Sequence, residues 1–311
     1  MNRKVADGVS DQASSAREFS GELLKNHPSD QHNKQLDHLY LDHQFGPNPR
    51  HNPFDMRDEE CVGFLQWALP RLNMRWPGFR KVRLQVCKRL QRRLTALRIS
   101  NVSGYCRYLT QHPEEWRTLD ALTRVTISRF YRDKLVFEFI AQEVLPRLAK
   151  QASERNDDVL SIWSAGGGSG EEPYTLALFW HLLVQPQFPN LRLRIVATDA
   201  DANQCQRGVR ACYSYSSIKN LPAQWQEHAC AQQQDEYCLN AMYRADVEFR
   251  VQDVREAVPP ESFDVVFCRN LVFTYFDDGL QRETLGRMQG AIKVGGALVI
   301  GIHEHLPAES G

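Results

Sequence analysis

The chain has 311 residues, of which 42% are hydrophobic and 24% charged, proportions that are ordinary for a soluble globular protein. This length allows one large domain or two smaller ones. Lysine and arginine total 38, and aspartate and glutamate also total 38, so net charge indicates no class of partner. No apolar run approaches the roughly 18 residues that span a bilayer, so we expect no membrane insertion.

The cysteines and histidines suggest neither a disulfide framework nor a metal site. The eight cysteines are scattered and form no Cys-x-x-Cys pair. With no signal peptide at the N-terminus, we expect reduced thiols in a cytoplasmic protein. Five of the ten histidines lie in the polar N-terminal stretch, and His303 and His305 lack the i, i+4 spacing that places two imidazoles on one helix face. We therefore expect no metal.

The first half of the chain divides into three predicted segments. Residues 1–56 are polar with few large apolar side chains, which predicts a disordered arm or a loosely attached helix. Residues 57–125 show helical periodicity and predict a small all-helical domain. Residues 126–150 form a linker that includes a predicted helix from Lys134 to Leu148.

An amphipathic basic helix is the clearest element of the helical segment. Its predicted apolar stripe is Leu84, Cys87, Leu90, Leu94 and Leu97. Between Cys61 and Pro113 there is no acidic residue, while eleven side chains are basic. Clustered arginines steer acidic partners towards a surface. A solvated face without a partner remains open, and a nucleic-acid partner is less favoured because interleaved exposed aromatics are lacking.

From residue 151 short apolar strands alternate with helices. The predicted strands are Val159–Trp163, Leu193–Thr198, Val247–Val251, Phe263–Cys268 and Gly295–Gly301. This alternation predicts an α/β fold with a mostly parallel sheet and right-handed crossovers. The interval 203–245 is too long for a simple connection and predicts an extra element, such as a small antiparallel excursion.

A glycine-rich turn follows the first predicted strand. Gly166, Gly168 and Gly170 allow a sharp strand-to-helix turn and let the backbone touch a ligand that any Cβ would displace. The next helix presents unpaired N–H groups there. Asp199 ends the second strand, where a carboxylate can accept hydrogen bonds from ribose hydroxyls. These features predict an adenosine cofactor without separating a nicotinamide cofactor from S-adenosylmethionine.

Four ordered segments resemble the signatures of the CheR family, the methyltransferases that esterify glutamates of bacterial chemotaxis receptors. They are Trp163–Tyr174, Ala197–Asp201, Phe263–Asn270 and Tyr275–Asp277. Thr126–Asp133 resembles the linker of that family, and the similarity covers about residues 60–305. The resemblance implies S-adenosylmethionine as the cofactor, a Rossmann-like methyltransferase domain over 151–311 and a CheR-like helical domain over 57–125.

Carried over residue by residue, the resemblance also implies the site. Together with the glycine turn, it implies these cofactor contacts: Thr126, Ser128, Arg132, Gly166, Gly168, Glu172, Asp199, Asp253, Val254, Asn270 and Leu271. Arg132 and Tyr275 are the candidates for catalysis on the acceptor side. The expected partner is an acidic protein substrate, such as the cytoplasmic helix of a chemoreceptor, facing the basic helix.

Plainer roles stay open for several of these residues and their neighbours. Arg132 and Asp133 could form a surface ion pair, and Glu171 could cap the helix that it begins. Asp253 could be a loop acid, and Cys268 is interpreted as a small buried core residue rather than a nucleophile.

The expected chemistry is in-line methyl transfer to a glutamate carboxylate. With an ordinary pKa of about 4.3, this carboxylate is already a nucleophile at neutral pH. The enzyme then needs no general base, and its work is to align and desolvate the reactants. Arg132 is the candidate for holding, in a guanidinium fork, the carboxylate of either the acceptor or the cofactor.

The chain departs from the family pattern at three places and is interpreted as a divergent, C-terminally short member. Five steps separate Asn270 from Tyr275 where the family usually has four, and Gly301-Ile-His-Glu replaces the usual Gly-His-Ser-Glu. Because the chain ends before the family's terminal hairpin, two arrangements stay open: a sheet of only five strands, or an edge strand that pairs with a partner. The alternatives are a methyltransferase for RNA, a peptide or a small molecule, and an inactive cofactor-binding regulatory protein.

Overall fold

The computed structural model of the chain describes residues 56–308, which all belong to one unit, Asn52–Gly311. The predicted polar arm, residues 1–56, lies outside the described residues except for Met56. Within the described range, no helix is long and apolar enough to cross a membrane.

Helices fill the first part of the described chain. In chain order they are α1 Asp58–Ala68, α2 Trp76–Phe79, α3 Arg83–Leu97, α4 Val102–Gln111, α5 Glu115–Thr123, α6 Lys134–Phe139 and α7 Leu145–Glu154. A 3-10 turn, Leu69–Leu72, follows α1, and a π turn, Ile140–Val144, joins α6 to α7. The Asn101 side chain accepts a hydrogen bond from the Gly104 N–H and so begins α4.

Helix α3 is the predicted amphipathic helix, and it packs against α1 and α5. It buries Val86, Cys87, Leu90 and Leu94. The stripe prediction is wrong at Leu84, which is 58% exposed, because this residue lies in the first turn at the margin of the covered face. Cys87 forms a disulfide with Cys61 of α1, so the expectation of reduced thiols is wrong for this pair.

Strands occupy the second part of the chain. They are β1 Val159–Ala165, β2 Arg192–Asp199, β3 Cys212–Ser214, β4 Cys230–Gln233, β5 Glu236–Leu239, β6 Val247–Val251, β7 Phe263–Cys268 and β8 Ile292–Ile300. Five of them form a parallel sheet in the order β6-β2-β1-β7-β8. The prediction of an α/β fold with a mostly parallel sheet is confirmed, and the sheet has five strands in the described residues.

The long interval between β2 and β6 contains the predicted antiparallel excursion. Its sheet has the order β3-β5-β4. Cys212 and Cys238 stand directly opposite in the β3–β5 register and are disulfide-bonded, which is a second correction to the reduced-thiol prediction. The Tyr213 hydroxyl donates to the Ser169 carbonyl oxygen (2.7 Å), so the excursion is tied to the glycine turn.

Helices connect the strands and cover the parallel sheet. They are α8 Glu171–Phe179, α9 Ala202–Arg210, α10 Tyr215–Ile218, α11 Ala223–Ala229, α12 Ala241–Arg244, α13 Val272–Tyr275 and α14 Asp278–Gly290. One core includes Ile162 and Phe137, and another, on the opposite sheet face, includes Trp163 and Met288. Because both faces are covered, β7 is buried along its whole length, and its side chains are apolar except for Asp264.

The strand order fixes where a ligand can bind. From β1 the chain proceeds to β2 and β6 on one side, then returns to β7 and β8 on the other. The order therefore reverses between β1 and β7, and the loops after β1, β2, β6 and β7 open at one edge of the sheet. In parallel α/β sheets, ligands bind at this reversal.

Candidate functional site

A cavity of about 660 Å³ lies at this edge, a size typical of sites for small molecules. Its lining includes every site residue predicted from the sequence: Thr126, Ser128, Arg132, Gly166, Gly168, Glu172, Asp199, Asp253, Val254, Asn270, Leu271 and Tyr275. The fold thus brings together residues separated by up to about 150 positions in the chain. Their individual contacts with a cofactor stay predictions.

The glycine turn brings bare backbone to the cavity. The N–H groups of Gly166 and Gly167 donate to the Thr198 carbonyl oxygen at 2.8 and 3.0 Å, which fixes the turn against the end of β2. Gly166 has φ +75°, and a Cβ there would lie 2.6 Å from Leu271 Cδ2. Only glycine fits this position, and the cradle that results suits a ligand lying against the backbone.

Asp199 stands at the end of β2 and organises the same turn. Its carboxylate accepts hydrogen bonds from the Gly168 N–H (3.0 Å) and the Asp201 N–H (2.9 Å). Burial raises the pKa of Asp199, and the two backbone hydrogen bonds act in the opposite direction. A carboxylate has about four acceptor positions, so capacity for ribose hydroxyls remains.

A buried arginine that sequence reasoning missed links three segments of the site. Arg269, whose side chain is only 3% exposed, donates to Glu172 at 3.0 Å and to Asp133 at 2.6 Å. The Glu172 carboxylate also accepts from the Ser164 hydroxyl (2.9 Å). Asp133 therefore pairs with Arg269 and not with Arg132, so the surface ion pair considered above is wrong.

The linker between α5 and α6 folds back on itself beside the cavity. Arg132 Nη1 donates to the Ile127 carbonyl oxygen at 2.6 Å. Its neighbours Tyr131 and Asp133 have left-handed backbone, with φ of +57° and +63°. Thr126 lies beside the glycine turn, since its Cγ2 is 3.3 Å from where a Cβ of Gly168 would be.

Asp253 belongs to a cluster of charges and is not a solvated loop acid. Arg255 donates to its carboxylate through both Nε and Nη2, the latter at 2.7 Å. Arg255 also binds Asp120 of α5, and Arg124 lies 3.6 Å from Asp253. The neighbouring Val254 is buried in the apolar core on that side of the sheet. No local pattern indicates Asp120 as a member of this cluster, because it lies 133 positions before Asp253 in the chain.

The far side of the cavity is built by the loop after β7. Asn270 has φ +55°, and its N–H donates to the Glu304 carboxylate at 2.9 Å. Glu304 also accepts from the Thr274 hydroxyl (2.6 Å) and the Gly301 N–H (2.6 Å). The glutamate of the family's Gly-His-Ser-Glu ending is thus retained three residues after Gly301, and it holds this loop.

Tyr275 packs against the helical part of the chain. The centroid of its ring lies 5.0 Å from the centroid of the Phe79 ring in α2. Gly78 permits the contact, since a Cβ there would lie 2.2 Å from the Thr274 carbonyl oxygen. Burial raises the pKa of Tyr275, and the charge of Arg132 acts against that shift. The role of α2 as a wall of the cavity was not predicted, because no local sequence pattern indicates that α2 packs against the loop after β7.

Two residues near the site, Glu171 and Cys268, have structural roles, and that of Glu171 is not the cap role considered above. The Glu171 carboxylate accepts from the hydroxyls of Ser169 (2.9 Å) and Ser217 (3.1 Å), so it ties the turn to the excursion and is not a backbone cap. Cys268 is fully buried, and burial raises the pKa of its thiol. A neutral core thiol is the interpretation made from the sequence, and it is confirmed.

Comparison with known proteins identifies the family. Residues 126–311 match the S-adenosylmethionine-binding domain of the CheR methyltransferases, and residues 82–123 match the all-alpha domain of the same family. The chain is 26% identical to a chemotaxis protein methyltransferase of Borreliella burgdorferi, over 72% of this chain and 81% of that protein. It is 29% identical to chemotaxis protein methyltransferase 2 of Vibrio cholerae, over 71% of this chain and 77% of that protein. It is 28% identical to the chemotaxis protein methyltransferase of Escherichia coli, over 71% of this chain and 76% of that protein.

The glycine cradle, the strand-end Asp199 and the size of the cavity fit the cofactor of this family. The chain belongs to the CheR methyltransferase family and is an S-adenosylmethionine-dependent methyltransferase of the protein-glutamate type.

Proposed function

We propose that this enzyme methylates glutamate side chains on the acidic cytoplasmic helix of a chemoreceptor. The observation that carries the proposal is that Arg132 and Tyr275 line the same cavity as Asp199 and the glycine turn. A carboxylate bound by Arg132 would therefore lie in the same cavity as the cofactor. The names of the relatives, chemotaxis protein methyltransferases, support the same class of acceptor.

The proposed site residues divide between holding the cofactor and holding the acceptor. Asp199 accepts hydrogen bonds from the ribose hydroxyls of the cofactor. Asp253 and Val254 flank the adenine. Asn270 and Leu271 close the pocket at the methionine end. Thr126, Ser128 and Glu172 complete the pocket. When bound, S-adenosylmethionine supplies an electrophilic methyl group on a positively charged sulfur.

The acceptor side is suited to a carboxylate that is already ionised. A glutamate of ordinary pKa, about 4.3, needs no proton removed before it attacks, so the site requires no general base. Arg132 orients the carboxylate through its guanidinium fork. The neutral phenol of Tyr275 donates a hydrogen bond on the same side, since burial raises its pKa. Alignment and exclusion of water supply the rate enhancement.

Positive charge around the opening supports an acidic partner. Arg80, Lys81 and Arg129 line the cavity and are exposed. On α3, Lys88 and Arg92 are also exposed and extend the basic surface of the helical part. Clustered cations of this kind raise the rate at which an acidic helix is captured, an effect that salt weakens.

The test uses the full chain with S-adenosylmethionine labelled in its methyl group. The acceptors are bacterial membranes that contain chemoreceptors and, as a control, membranes whose receptors carry Gln at the methylated positions. The proposal predicts base-labile label on the first receptor and none on the second. Label on RNA or a small molecule would establish another acceptor, and cofactor binding without transfer to any of them would indicate a regulatory protein.

A further inference from the structure

Four charged side chains connect α5 to the loop after β6, on the side of the cavity where the proposed function places the adenine; the inference below rests on that proposal. They are Asp120, Arg124, Asp253 and Arg255. Arg255 donates to both oxygens of Asp120, at 2.6 and 2.8 Å, and to both oxygens of Asp253. Arg124 completes the cluster by donating to Asp120 at 2.9 Å and to the Ala200 carbonyl oxygen at 2.9 Å.

The cluster is largely buried and balanced in charge. The exposed fractions of the side chains are 12% for Asp120, 14% for Asp253, 20% for Arg255 and 32% for Arg124. Burial alone would raise the pKa of Asp253, but the hydrogen bonds and charge of Arg255 outweigh it and lower that pKa. Asp253 is therefore ionised at neutral pH, and both acids of the cluster have the arginines as their charge partners.

One guanidinium links the two acids, so the position of Asp253 depends on Asp120. Arg255 follows Asp253 by two residues, and its backbone N–H also donates to that carboxylate at 2.9 Å. Without Asp120, Arg255 would lose its hydrogen bonds to α5 and keep those to Asp253 in its own loop. Asp253, Arg255 and Arg124 line the cavity, whereas Asp120 stands behind them.

We infer that Asp120 is a positioning residue for cofactor binding, acting through Arg255 on the carboxylate of Asp253. The helical part of the chain is then a structural component of the adenine pocket as well as a surface for the acceptor. By thermodynamic linkage, a cofactor that binds better to the ordered cluster also strengthens the docking of α5. This inference concerns the cofactor and is independent of which acceptor is methylated.

The test compares Asp120→Asn with a matched variant of the same helix, Glu115→Gln. Glu115 is also a buried carboxylate of α5, held by Arg93 (2.6 Å) and the Tyr105 hydroxyl (2.8 Å), but it does not line the cavity or contact the cluster. Calorimetry with S-adenosylhomocysteine should give a Kd raised about tenfold by Asp120→Asn, the size of effect expected from a residue that couples to a site indirectly. Glu115→Gln should leave Kd unchanged within about twofold while lowering the urea midpoint.

Two further variants separate positioning from general destabilisation. Asp120→Glu, which keeps the charge, should recover part of the lost affinity. Adding Asp120→Asn to Asp253→Asn should raise Kd little further, because the first change acts through the second residue. If Asp120→Asn alone does not fold, Asp120→Glu decides the matter, because its displaced carboxylate should still give a Kd above that of the native chain.

Amide hydrogen exchange gives a readout other than affinity. S-adenosylhomocysteine should slow exchange in α5 of the native chain, and Asp120→Asn should remove that protection. An unchanged Kd for folded Asp120→Asn, or an equal loss of affinity in Glu115→Gln, would overturn the inference. Absence of binding by the native chain would instead contradict the cofactor assignment.

Discussion

Arg269 donates a 3.0 Å hydrogen bond to Glu172 and thereby joins the end of β7 to the first turn of α8. These elements flank the point where the strand order reverses, so the ion pair closes the base of the cavity. Its second bond, to Asp133, attaches the linker that carries Arg132. One buried guanidinium therefore connects the parts of the chain proposed to hold the cofactor and the acceptor.

Replacing Arg269 should destabilise the fold strongly. Arg269→Gln leaves two half-buried carboxylates without their buried cation, and the free energy of unfolding should fall by about 3 kcal/mol. The control is Arg192→Gln, which breaks an ion pair with Asp158 whose side chains are 71% and 81% exposed. It should cost about 0–1 kcal/mol in urea unfolding. Equal losses in the two variants would contradict the role given to Arg269.

Removing the Asp199 carboxylate should weaken cofactor binding. Asp199→Ala loses the proposed ribose acceptor and the bond that holds Gly168, so the Kd for S-adenosylhomocysteine should rise by about 10- to 100-fold. The control is Asp201→Ala, which removes the acceptor of the Asn203 N–H at the start of α9 and should reduce stability without a comparable loss of affinity. Calorimetry on both variants measures the difference, and an unchanged Kd for Asp199→Ala would show the ribose assignment to be wrong.

A methyl group at Gly166 should close the cradle. Gly166→Ala forces an alanine to φ +75° and places its Cβ 2.6 Å from Leu271 Cδ2, so both stability and cofactor affinity should fall. Gly286→Ala in α14 is the control, because a Cβ there meets nothing within 4 Å and alanine favours a helix by about 1 kcal/mol. Thermal unfolding with and without S-adenosylhomocysteine compares them. The prediction fails if the cofactor stabilises Gly166→Ala as much as the native chain.

Stability should decrease with pH because of His181. The hydrogen bond to Asp246 (2.5 Å) raises the pKa of His181, burial opposing it. The unfolded-state pKa of a histidine is about 6.5, and the folded-state pKa of His181 is higher. The stabilisation that results is complete below the unfolded-state pKa and is lost as pH rises through the folded-state pKa. Urea unfolding between about pH 6 and pH 9 should therefore show a loss in the native chain that His181→Gln lacks. If the free energy of unfolding changes with pH equally in the native chain and in His181→Gln, then His181 does not make this contribution.

The sequence predicts the sheet well because its signals are local. Each strand of the parallel sheet is a short segment rich in apolar residues, and the glycines and Asp199 mark the ends of two of them. The two disulfides were missed because Cys61 and Cys87, like Cys212 and Cys238, are brought together by packing and register over 26 positions. Spacing alone does not reveal such pairs.

The candidate site was predicted in part for the same reason. Glycines and acids at strand ends are visible in the sequence, and their gathering in one cavity follows from the topology of a parallel sheet. The partners of these residues are not visible. Asp120 reaches the site across 135 positions to Arg255, and Glu304 reaches Asn270 across 34, through tertiary packing alone.

The most direct test of the account is to map methyl groups on a chemoreceptor cytoplasmic fragment by mass spectrometry after incubation with the enzyme and S-adenosylmethionine. The variants are Arg132→Gln, which removes the proposed acceptor contact, and Arg147→Gln, which changes an exposed arginine of α7 outside the cavity. We predict glutamate methyl esters with the native enzyme and with Arg147→Gln, and at least about a tenfold slower reaction with Arg132→Gln. Native enzyme that binds the cofactor and leaves every receptor glutamate unmodified would contradict the account.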